Sequence, residues 1–218
     1  MRFTGTYDQD QLLDESLPIT WRHINKLAGC GALGDLGSHL LSISQFIMGD
    51  ITKVNAVATT VFPKRPKSAG STEMVDVENE DIMTFMAEYA NGAIGQIACS
   101  RVATGRKNYL TYEIQGTKGS VRYDLERMGE VQVYFQSDNE RDRGFRTVLL
   151  NPLMKGYSAF QPAGGISIAY NDMKILEVHA LFDAITNGAD YVTDFEFSYK
   201  IDRTVAAVIE SSKTHEWV

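Results

Sequence analysis

The stretch Asp81-Ile82-Met83-Thr84-Phe85-Met86-Ala87-Glu88-Tyr89-Ala90-Asn91-Gly92-Ala93-Ile94-Gly95-Gln96-Ile97-Ala98-Cys99-Ser100-Arg101 decides the fold. Two apolar runs flank Asn91-Gly92, and Asn-Gly readily adopts the positive φ angles of a tight hairpin turn. The stretch predicts two antiparallel strands. Working outward, Tyr109 to Gln115 sets Leu110, Tyr112 and Ile114 on one face and Thr111 and Glu113 on the other. Gly116-Thr117-Lys118-Gly119 turns the chain. Val121, Tyr123 and Leu125 then alternate with Arg122 and Asp124, as Val131, Val133 and Phe135 do with Gln132 and Tyr134. Arg146 to Leu150 offers a further strand. On the N-terminal side, Val54 to Phe62 is rich in Val and Thr, which suit strands. Residues 1–10 can form one short strand, and 63–78 read as a loop.

Helical spacing recurs in three places. From Gly37 to Met48 it involves Leu40, Leu41, Ile43, Phe46 and Ile47, and Gly49 ends the run. From Asn171 to Thr186 the stripe is Ile175, Val178, Phe182 and Ile185. From Glu196 to Lys213 it is Ile201, Val205, Val208 and Ile209. Residues 11–30 and 151–170 read as irregular. The pattern is α+β: a large, predominantly antiparallel open sheet with helices packed on one face, as a single domain over 1–218. Apolar and aromatic residues on the other sheet face suggest a partner sheet in a homo-oligomer.

The 218 residues are 44% apolar and 22% charged, which supports a packed core. A net charge of −7 argues against nucleic acid as a partner. The basic cluster Lys64-Arg65-Pro66-Lys67 is expected at a solvated surface. Cys30 and Cys99 lack metal-ligand spacing, so a reduced, cytoplasmic protein is the default expectation. No run is apolar enough to span a bilayer, and the N-terminus lacks the core of a secretory signal. No Gly-x-Gly-x-x-Gly follows a strand, and βαβ alternation is absent, so no cofactor-binding residues are assigned.

The segment Gly31-Ala32-Leu33-Gly34-Asp35-Leu36-Gly37-Ser38-His39 places a carboxylate and an imidazole four residues apart, one turn along a helix face. That is a candidate proton-transfer pair. On spacing alone, a carboxylate satisfying free helix-start amides and an ordinary polar histidine are the commoner reading. Arg22 can stack on Trp21 or pair with a carboxylate. Tyr157, in the long loop, is a candidate substrate contact. His179 reads as core edge, and His23 and His215 as surface. Asp35 and His39 supply two metal ligands at most, so no metal site is expected.

Read together, Trp21-Arg22, Ala28-Gly29, Gly31, Gly34-Asp35-Leu36-Gly37-Ser38-His39 and Gly49 resemble the start of the substrate domain of the Gfo/Idh/MocA sugar and inositol oxidoreductases. Asn91-Gly92-Ala93-Ile94-Gly95 resembles that family's central hairpin. Ala103 to Asn108 and Glu113 to Ser120 resemble the strand and turn after it, and Ala207 to Val218 its last helix and terminal strand. The chain departs from the family in reading Gly164-Gly165-Ile166 where Gly-His is frequent. The resemblance implies a sheet domain like the C-terminal domain of glyceraldehyde-phosphate dehydrogenase. It implies NAD or NADP bound by a separate Rossmann half that this chain does not resemble, with no turnover by this chain alone. It further implies His39 as general base, Asp35 as its partner, and Arg22 and Gln9 at a sugar or polyol substrate. The alternatives are a stand-alone, non-catalytic sugar-binding or oligomerisation module, and a hydrolase or lyase that uses Asp35 and His39.

Overall fold

A computed structural model describes residues 1–154 and 156–218. In chain order the elements are β1 (Arg2–Asp8), α1 (Asn25–Ala28), α2 (Ser38–Met48), β2 (Ile51–Thr59), β3 (Lys64–Pro66), β4 (Met74–Asp76), β5 (Ile82–Tyr89), β6 (Ile94–Ser100), β7 (Tyr109–Gln115), β8 (Gly119–Asp124), β9 (Glu130–Phe135), β10 (Arg146–Leu149), α3 (Tyr170–Asn187) and α4 (Phe195–Thr214). Eight strands form one sheet in the order β10-β9-β8-β7-β1-β6-β5-β2, and β3 pairs with β4 separately. All pairings are antiparallel except that of β1 with β6. The α+β class and the antiparallel open sheet stand as the sequence implies.

The hairpin forms at the expected place. Gly92 takes φ 79°, and Asn91 Oδ1 accepts from Ala93 N at 2.9 Å. Asn91 Nδ2 also donates to Met48 O at 2.8 Å, tying the hairpin to the end of α2. On one sheet face, Phe3, Phe85 and Ile97 meet Leu33, Leu36, Leu40 and Leu41 from α2 and the turn before it. α4 covers β2, with Ile201 and Val208 inward and Ser211 Oγ accepting from Ala56 N at 3.0 Å. Val218 exchanges two backbone hydrogen bonds with Val54. Burial of this apolar surface is the main stabilising term.

Five expectations need correction. Residues 63–78 contain the β3–β4 hairpin rather than loop alone. Arg65 of the basic cluster is fully buried, because Asp14 O and Leu12 O accept from its guanidinium. His23 is buried too: its Nδ1 accepts from Thr20 N at 3.0 Å, and burial keeps its pKa below the ordinary value. His179 is exposed. The stripe on α3 does not pack on the sheet: Ile175, Val178, Phe182 and Ile185 are all half or more exposed. The opposite sheet face carries mainly polar side chains such as Thr4, Thr6, Gln96 and Arg122, with exposed Val57, Met86 and Ile94 towards the β2 edge. Cys30 and Cys99 are both free thiols.

Candidate active site

Asp35 lies in a π-helical turn, Leu33–Gly37, that runs directly into α2, and His39 is in the first turn of α2. Such turns are rare and recur at functional sites. The two side chains interact by charge and make no hydrogen bond to each other. Asp35 Oδ2 is shielded from solvent without a hydrogen-bond partner and faces Arg22 Nε at 3.7 Å. Arg22 also stacks over the Trp21 ring at 4.7 Å, so ion pairing and stacking coexist. The Arg22 guanidinium is thus the charged partner of that oxygen, which makes no hydrogen bond.

The His39 ring packs edge-on against Tyr7, with centroids 5.8 Å apart, and its other side is open to solvent. Packing holds the imidazole pKa below its ordinary value near 6.5. The Asp35 charge pulls it back up, and the Lys174 ammonium of α3 adds to the lowering. The neutral imidazole is therefore the form at neutral pH.

Gln9 lies just past β1. Its Nε2 donates to Asn108 Oδ1 at 2.9 Å, and Tyr7 OH donates to the same oxygen at 2.7 Å. Asn108 thus links Gln9 to the tyrosine that carries His39. The β1–β7 pairing sets this up, because Asp8 opposes Tyr109. Tyr157 lies in a short turn, Tyr157–Ala159, close enough to act by charge on Tyr112 and Tyr123, which are opposed on β7 and β8. Tyr7, Asn108 and Lys174 escaped the sequence reading. The only signal available was that Tyr7 and Gln9, two apart, project to the same side of an extended strand.

A pocket of about 210 Å³ opens between Trp21, Arg22, Cys30, Gly34, Asp35 and Arg101. A larger one, about 320 Å³, lies at the other end of α2 around Gln45, Lys53, Lys200 and Arg203 and contains none of these residues. Gly29-Cys30-Gly31-Ala32-Leu33-Gly34 has the glycine spacing of a dinucleotide-binding turn but follows α1 rather than a strand. Its amides at 31, 32 and 33 are already bound by Glu80, so they are not available to a pyrophosphate. Among the described residues, no group of three or more His, Cys, Asp or Glu could hold a metal ion, and no helix is long and apolar enough to cross a membrane.

Levoglucosan dehydrogenase of Pseudarthrobacter phenanthrenivorans is 37% identical over 231 aligned positions, covering all of this chain and 59% of that protein. The structure of levoglucosan dehydrogenase in complex with NADH and levoglucosan superposes with a TM-score of 0.94 at 38% identity, over 100% of this chain and 58% of the other. An NAD-binding oxidoreductase from Klebsiella pneumoniae gives 0.94 at 39% identity, with 100% and 58% covered. This chain therefore spans somewhat more than half the length of these relatives. The model of the GFO/IDH/MocA C-terminal domain matches residues 1–122. The ordered motifs and the sheet agree with that match: this chain belongs to the GFO/IDH/MocA family, through its C-terminal domain.

Proposed function

We propose that the chain, as one domain, is the substrate-binding part of an NAD(P)-dependent dehydrogenase that oxidises a hydroxyl of a sugar or polyol, with anhydro sugars the first class to test. The observation that carries this reading is the placement of His39: an accessible imidazole packed on Tyr7, one helical turn from the Asp35 carboxylate. His39 takes the hydroxyl proton as the carbon–oxygen double bond forms, and the Asp35 charge stabilises the imidazolium that results. Gln9 and Arg22 donate to other hydroxyls, and Tyr7 holds the ring in place. The nicotinamide supplies the hydride acceptor. It is held by a nucleotide-binding part outside this chain, whose proton-accepting side chains fit that chemistry. That part also covers the exposed apolar stripe of α3, whose first turns bring Tyr170 and Lys174 to the site.

A chimera tests the proposal: this chain joined to the nucleotide-binding part of the Klebsiella relative, assayed with NAD and NADP against anhydro sugars and polyols. Sugar-dependent reduction of the nicotinamide is expected. A folded chimera that binds NADH yet reduces neither cofactor with any of these substrates contradicts the proposal. A second copy packed on the open sheet face through Val57, Met86 and Ile94 would make the assembly a homo-oligomer, readable by sedimentation.

A further inference from the structure

Three consecutive residues just before β5, Asn79-Glu80-Asp81, each hold a different loop. Asn79 Nδ2 donates to Arg22 O at 2.8 Å, and its Oδ1 accepts from Asn25 Nδ2 at 3.1 Å. The Glu80 carboxylate accepts from Gly31 N and Leu33 N, both at 2.9 Å, while its carbonyl accepts from Ala32 N at 3.0 Å. Asp81 Oδ2 accepts from Val61 N at 2.8 Å and Phe62 N at 3.2 Å. Buried Arg101 braces the cluster: its Nη2 donates to Glu80 O at 3.1 Å and lies 4.0 Å from Asp81 Oδ1.

The first amides of any helix lack internal partners. Neither the π-helical turn nor α2 has a side-chain cap from its own N-cap residue. Glu80 supplies that cap from another element, and by three bonds to consecutive amides it fixes the rotation of the turn as well as its position. The approach is too close for a side chain at residue 31: a Cβ on Gly31 would lie 1.9 Å from Glu80 O and 2.8 Å from Arg101 Nη2.

We propose that Glu80 is a positioning residue for the Asp35–His39 pair. It locks the turn in the register that brings the Asp35 charge onto His39, while neighbouring Asn79 sets Arg22 against the same carboxylate. Its functional meaning rests on His39 as base; its geometric content does not.

The test is a cycle of His39 titrations by NMR on this chain, needing no turnover. Asp35→Asn removes the carboxylate that favours the imidazolium, so it lowers the His39 pKa in the parent. In a Glu80→Gln background, where one of the two carboxylate contacts is lost, the same change is expected to produce a smaller shift. In Glu80→Ala, which keeps only the main-chain bond from Ala32 N, it is expected to produce the smallest shift. The direct effect of the Glu80 charge on His39 is common to both legs and cancels. Asn at 35 producing an equal shift with and without Glu80 overturns the proposal, even if the Glu80 variants melt earlier, because that pattern describes a cap that only stabilises. If Glu80→Ala does not fold, Glu80→Gln decides alone. A chimera that proves inactive for lack of a base at His39 leaves the titration result standing.

Discussion

His39 can accept a proton only while its imidazole is neutral, so its neighbours set the acid limb of any turnover. Packing and the Lys174 ammonium lower its pKa, and Asp35 raises it. Lys174→Met removes a positive neighbour and should raise the His39 pKa. The acid limb of kcat/KM in the chimera should then move to higher pH. An unmoved limb would mean that Lys174 does not act on the group that titrates. The Asp35–His39 pair was legible because four-residue spacing is local. Tyr7, Asn108 and Lys174 were not, because strand pairing and a distant helix bring them in. Arg65 and His23 misled the reading because polar side chains are exposed by default, whereas here the Leu12 and Asp14 carbonyls accept from the Arg65 guanidinium and the Thr20 amide of its own turn donates to His23 Nδ1.

At the scale of the element, the turn from Gly31 to Gly37 is shaped by the approach of Glu80. Gly31→Ala forces the Glu80 backbone or the turn to move and should cost at least about 1–3 kcal/mol. A shift in the midpoint of urea unfolding reads this directly; an unchanged midpoint would mean that the turn is loose. Strands β5 to β9 were legible because Asn91-Gly92 and the alternation that follows are short-range signals. The β3–β4 hairpin was not, since three-residue strands separated by a longer loop show no period. The π-helical character of the turn carries no period distinct from that of the helix it runs into.

For the whole molecule, the decisive arrangement is the insertion of β1 between β6 and β7, which carries Tyr7 and Gln9 to Asn108. No local pattern announces a parallel pairing between residues so far apart in sequence. The α3 stripe was read correctly as a helix face but wrongly as facing this sheet. Phe182→Asp should therefore change the unfolding free energy of this chain by less than about 0.5 kcal/mol. In the chimera, where the face is covered, the same change should lower stability clearly. Equal loss in both would place the stripe against this chain's own core.

The central claim is that His39 is the base. The most direct measurement is kcat and KM for sugar oxidation by the chimera with and without His39→Asn. The account predicts a fall in kcat of about 10²–10⁴-fold with NADH binding retained. A variant that turns over as fast as the parent would contradict it.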